Sequence, residues 1–179
     1  MKNCLNFLLI YLFSWQVLCQ QDSAFCGVKY YNINNIEYAI FSKFPEYLVN
    51  DTYPEYTRFV SIDKVLLVDS LAFEFVKKQK HLPNQGFDDC PIIKDNWTNY
   101  CRQVICYLKK KGRRKYDEII RIQYIHTSKI QQFEKDFQLY GTFGIDWKRR
   151  WMYVCDGCSF YFNVFYNDSK RKIVGFVVN

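Results

Sequence analysis

The N-terminus sets the conditions under which the rest of this chain folds. Met1-Lys2-Asn3 precedes an apolar run over residues 5–13, and Val17-Leu18-Cys19 places small side chains where a cleavage site wants them. The run is too short to span a bilayer. This pattern predicts a secretory signal over residues 1–19, cut after Cys19, and folding in an oxidising compartment. No later run is long and uncharged enough for an integral membrane span. Residues 20–179 are therefore expected to form a single secreted, extracellular domain large enough to bury its own core.

The compartment changes how the cysteines read. Of eight, Cys4 and Cys19 leave with the signal, and Cys26, Cys90, Cys101, Cys106, Cys155 and Cys158 remain. An even set in an oxidising medium predicts disulfides rather than a zinc site. The sequons at Asn50, Asn96 and Asn167 become permitted glycosylation sites. Loss of Lys2 lowers the formal charge of +7 by one, which leaves a basic chain drawn to anionic surfaces. Aromatic residues make up 20% of the sequence, enough either to fill a compact core or to line a pocket for an apolar ligand.

Hydrophobic spacing gives the elements. Residues 33–44 carry Ile33, Ile36, Ile40 and Phe44 near helical spacing, stopped by Pro45, and residues 46–60 read as a loop. Residues 62–78 mix helical spacing with an alternation at Leu71, Phe73 and Phe75; Ser61 as a cap favours a helix. Cys101, Val104, Ile105 and Leu108 share one face of a helix starting at Thr98 or Asn99, with Lys109, Lys110 and Lys111 at its C-terminus and Gly112 closing it. Residues 117–126 alternate as a strand. Ser128-Lys129-Ile130-Gln131 resembles a capping box before a helix carrying Ile130, Phe133, Phe137 and Tyr140 and ending at Gly141. Asp156-Gly157 between 151–155 and 158–166 is a type I′ hairpin signal, and a turn at 167–170 leads into a last strand. The expected fold class is α+β: helices packed on one face of an antiparallel sheet that ends in a C-terminal meander, stabilised by disulfides.

The chemistry-bearing patterns are few. Cys155-Asp156-Gly157-Cys158 has redox or zinc spacing, but strands rather than a helix flank it. A 155–158 bridge would close a very small loop, so each is expected to tie the hairpin to the element bearing Cys101 and Cys106, leaving Cys26 to Cys90. The sharpest surface feature is Lys109, Lys110, Lys111, Arg113, Arg114 and Lys115, with Lys148-Arg149-Arg150 and Lys170-Arg171-Lys172 as smaller clusters. Together they form a candidate site for sulfated glycans or acidic membranes; separately they are solvated helix ends and hairpin flanks. Nucleic acid is not expected, because few aromatics interleave the cations. Known nucleophile, zinc-protease, phosphate-loop and calcium motifs are missing, and nothing calls for a cofactor or metal. His81 and His126 are the only histidines; they could serve as the acid and base of a ribonuclease-type site, although neither carries such a family's local motif. The reading that results is a binding protein for an extracellular protein or sulfated glycan. A carrier of a hydrophobic ligand and a small hydrolase are its alternatives.

Overall fold

A computed structural model describes residues 27–43, 57–83, 85–86, 89–113, 115–140, 146–152, 154 and 157–178. The expected signal, Cys26, Asn50, Arg114, Gly141, Cys155 and Asp156 lie outside them. The elements are β1 (Val28–Ile33), β2 (Ile36–Phe41), β3 (Thr57–Arg58), α1 (Ile62–Lys78), β4 (Tyr100–Gly112), β5 (Lys115–His126), α2 (Thr127–Tyr140), β6 (Tyr161–Asn167) and β7 (Lys172–Val178), with 3-10 turns at Ile93–Asn99 and Cys158–Phe160. They build one seven-stranded, mostly antiparallel sheet in the order β1-β2-β4-β5-β6-β7, with β3 paired to β4. The fold is α+β. None of the described helices is long and apolar enough to cross a membrane.

Residues 33–44 are read as a helix, but as far as they are described they are not one: β1 and β2 form a hairpin. Asn34 and Asn35 both take positive φ (52° and 63°), which a type I′ turn requires and asparagine tolerates. Val28 then pairs with Phe41 and Ile33 with Ile36. β2 runs parallel to β4, so the chain must cross over between them, and α1 supplies the crossover. Ser61 caps α1 by accepting from the Lys64 backbone N–H at 3.4 Å, as its sequence suggests.

The helix expected from Thr98 is the strand β4, the centre of the sheet. Its even-numbered residues Tyr100, Val104 and Cys106 join a core with Val65, Val68, Ala72 and Val76 of α1. Its odd-numbered residues Cys101, Ile105 and Tyr107 join a second core with Ile130, Trp147, Trp151 and Met152. A strand buried on both faces loses the polar–apolar alternation that would betray it. The helices are divided between the two faces rather than packed on one.

The alternation also overturns the expected disulfides. Cys101 and Cys106 stand an odd number of residues apart, so they point to opposite faces and are buried as free thiols. Cys158 bonds instead to Cys90, with Cα atoms 6.2 Å apart. Gly157 has φ −102°, incompatible with a type I′ centre, and Cys158–Phe160 is a 3-10 turn. Trp151, Met152 and Val154 carry no strand. The final antiparallel pair is β6 with β7, joined by a turn in which Arg171 takes φ 51°.

Two buried polar networks hold the layers on. On the α1 face, Arg102 donates from Nε to Asp69 Oδ1 (3.3 Å) and from Nη2 to Trp97 O (3.0 Å), and it also reaches Tyr100 O. Tyr38 and Tyr124 donate to the same carboxylate at 3.0 and 2.8 Å, and Tyr38, Trp97 and Tyr124 present their rings to the guanidinium. On the opposite face, Gln103 donates to Trp147 O and Arg150 O (both 2.6 Å) and accepts from Met152 N–H (2.9 Å). Gln123 donates to Met152 O at 2.8 Å. The two glutamines thus serve the irregular segment 147–152 as a neighbouring strand would.

Candidate functional site

Strand register decides which basic residues meet. The β4–β5 hairpin pairs Lys109 with Asp117 and Gly112 with Lys115, while β6 pairs with β5 only as far as Ile119 opposite Asn167. The hairpin tip therefore projects past the β6–β7 turn. Lys170, in that turn, reaches back to Asp117 Oδ2 at 3.3 Å. Lys109, Lys110, Lys111, Arg113 and Lys115 thus share one end of the sheet with Lys170, Arg171 and Lys172.

The acids described at this end are already engaged: Asp117 with Lys170, Glu118 with Arg58 and Asp168 with Lys64. Desolvation opposes the charge on Asp117, but hydrogen bonds from Asn167 and Lys170, with Lys111 nearby, outweigh it and lower its pKa. Lys109, Lys110, Lys111, Arg113, Lys115, Arg171 and Lys172 make no ion pair among the described residues.

Lys148, Arg149 and Arg150 do not join them. Lys148 pairs with Glu37 at 3.0 Å and stands 4.5 Å from the Tyr30 ring centroid, Arg149 pairs with Asp146 at 3.3 Å, and Arg150 offers its carbonyl to Gln103. Glu37 touches Cys101, eight residues along β4 from Lys109, or about 26 Å at strand rise. Burial disfavours both charges of the Lys148–Glu37 pair. Hydrogen bonds from Tyr30 and Lys148 nevertheless hold Glu37 below the usual carboxylate range, and those to Glu37 and Tyr30 raise Lys148. This cluster fastens the second face to β1 and β2.

The remaining candidates are structural. Burial and an acceptor at Glu118 push Cys106 up to about 12, and burial with nearby Glu37 likewise raises Cys101, so both stay protonated thiols. His126 Nδ1 accepts from the Ser128 N–H at 3.3 Å and faces Ser128 Oγ at 2.8 Å, which makes His126 the cap of α2 in place of the expected capping box. Its ring lies edge-on to Tyr100 and Phe160. His81 is exposed beyond the end of α1. Asn167 is 1% exposed and bonded through Oδ1 to the Lys170 N–H, so its sequon is closed in the folded chain, whereas Asn96 is half-buried on a 3-10 turn and donates from Nδ2 to the Ile92 carbonyl oxygen at 3.0 Å.

Aromatic residues fill the α1 face: Tyr124 and Phe162 stack at 4.2 Å, with Trp97 4.8 Å from Tyr124. The second face is less complete. Arg121, 5.1 Å from the Trp151 ring and 5.5 Å from Phe165, stands where the cover ends. Beyond it a groove of about 400 Å³ opens over Tyr107, Ile119 and Phe165. Sequence reasoning missed this groove, since its floor residues come from three strands that only the register brings side by side. The chain matches no protein-family model, no curated protein and no solved structure.

Proposed function

We propose that the protein is a secreted binding protein whose basic sheet end holds a sulfated glycan. One observation carries this reading: register gathers two basic clusters distant in sequence, and the acids among them are engaged by other residues. A linear polyanion suits such a surface, because each cation displaces condensed counterions without a shaped pocket. Single-stranded nucleic acid fits less well, since stacking platforms are wanted and only Tyr116 stands exposed at the hairpin. Secretion and N-glycosylation belong to the same proposal, with half-buried Asn96 the more accessible of the two described sequons.

Heparin chromatography tests it. The triple variant Lys110→Glu, Lys111→Glu, Arg113→Glu should elute at clearly lower salt, with affinity at physiological salt reduced about tenfold or more. Arg149→Glu, which reverses an exposed charge in the segregated cluster, should elute close to the parent. Equal retention of all three proteins rules the site out.

A further inference from the structure

We propose that the groove on the second face binds a single-chain fatty carboxylate, with the acyl chain along the sheet and the carboxylate on Lys109. The inference is independent of the glycan reading, although both use the same end of the sheet.

The groove exists because two layers cover the sheet to different extents. The segment 147–152 is latched over Gln103 and Gln123, and among the described residues its cover reaches Trp151 and Arg121. The same face of the sheet continues towards the hairpin through Tyr107, Ile119 and Phe165. Tyr107 and Ile119 belong to the second core, so the groove floor is the outer surface of packed side chains. Val174 and Val177 of the edge strand β7 line the groove and are 46% and 49% exposed. Gly175 lies opposite Phe165, where an added Cβ would come within 3.1 Å of the ring; the missing side chain lets Phe165 lie over β7 and keeps the floor continuous.

Charge selects the ligand. Among the described residues, Lys109 is the one charged side chain lining the groove and has no ion pair. Its cross-strand neighbour Asp117 is neutralised by Lys170 at 3.3 Å. A ligand matching these features is apolar along most of its length and carries one negative charge at an end. The volume lies near the lower limit of ligand pockets, about 300 Å³, which favours one chain over the two of a bilayer lipid. Each methylene moved from water onto the floor adds to the affinity, so a medium-length chain supplies the binding and Lys109 the orientation.

Calorimetric titration with laurate below its aggregation threshold, and with dodecanol as the neutral analogue, tests the proposal. Saturable one-to-one binding of laurate is expected, with dodecanol about tenfold weaker. Val177→Asp, at a half-exposed edge position that tolerates a polar side chain, should abolish laurate binding and leave heparin retention unchanged. Val177→Ile should preserve both. Lys109→Gln should bring laurate affinity down to that of dodecanol, whereas Lys109→Arg should keep the difference. Absence of saturable laurate binding overturns the proposal, and so does binding indifferent to Val177→Asp. Weak heparin retention with intact laurate binding would count against the glycan site alone.

Discussion

The two faces of this sheet are made by the same strands yet are closed by different means. On one, α1 lays a regular apolar stripe over the sheet, and the Arg102–Asp69 pair is buried with its guanidinium among three aromatic rings. On the other, α2 and an irregular segment share the cover, and two glutamines hold that segment by its backbone. A helix satisfies its own backbone and needs only side-chain contact to dock. An irregular segment brings unsatisfied amides and carbonyls, so it can be buried only where the sheet offers matching side chains. Among the described residues the cover of the irregular segment therefore extends as far as Gln103 and Gln123 reach, and a groove begins beyond it.

The largest effect should come from breaking the ionic network. Asp69→Ala leaves Arg102 uncompensated in a site with no solvent exposure and orphans the Tyr38 and Tyr124 hydroxyls. A loss of about 3–5 kcal/mol in urea unfolding is expected. A loss below about 1 kcal/mol would show that the α1 face rests on its apolar contacts alone. Gln103→Ala ranks next, at about 2 kcal/mol: three hydrogen bonds go, but the freed segment can recover water, so the penalty stays below the sum of its parts. Its signature should be local, a loss of the near-ultraviolet signal of Trp147 and Trp151 at unchanged helix content. If that signal persists, the glutamine is not what holds the segment.

The same contrast explains what the sequence could and could not reveal. Residues 62–78 were legible as a helix because Ser61 caps them and one stripe stays apolar. β5 was legible because Ile120, Ile122 and Tyr124 face α1 while the intervening Arg121 and Gln123 look polar. β4 was not, because Arg102 and Gln103 are polar residues placed in the interior, and their positions imitate the polar side of a helix. Asn34-Asn35 did carry a turn signal, in two residues that both tolerate positive φ. The Asp156-Gly157 signal misled at its described half: Gly157 takes φ −102° and a 3-10 turn begins at Cys158. The basic clusters were visible one by one. Their grouping into one end depends on register, which local sequence does not encode.

The caps of the two helices differ in a way that makes one face sensitive to acid. Ser61 on α1 does not titrate, while α2 is capped by His126, whose Nδ1 must keep a lone pair for the Ser128 N–H. Burial, and then the nearby Lys129, lowers the His126 pKa from its ordinary 6.5. Between the folded and unfolded values the unfolded chain binds more protons, so stability declines as pH falls below about 6.5 and levels off once the folded ring is also protonated. Protonation removes the acceptor and places a positive charge at a helix N-terminus, both unfavourable for α2. Glu37 and Asp117 shift downward from 4.5 and 3.8, so their contributions are lost at lower pH and leave the window between pH 7.5 and 5.5 to His126. His126→Asn keeps a capping oxygen without a titration. Thermal melts across that window should show the parent losing up to about 1 kcal/mol, the ordinary worth of a cap, while the variant stays flat. Parallel slopes in the two proteins would place the acid sensitivity elsewhere and leave the two helices equivalent in how they are held.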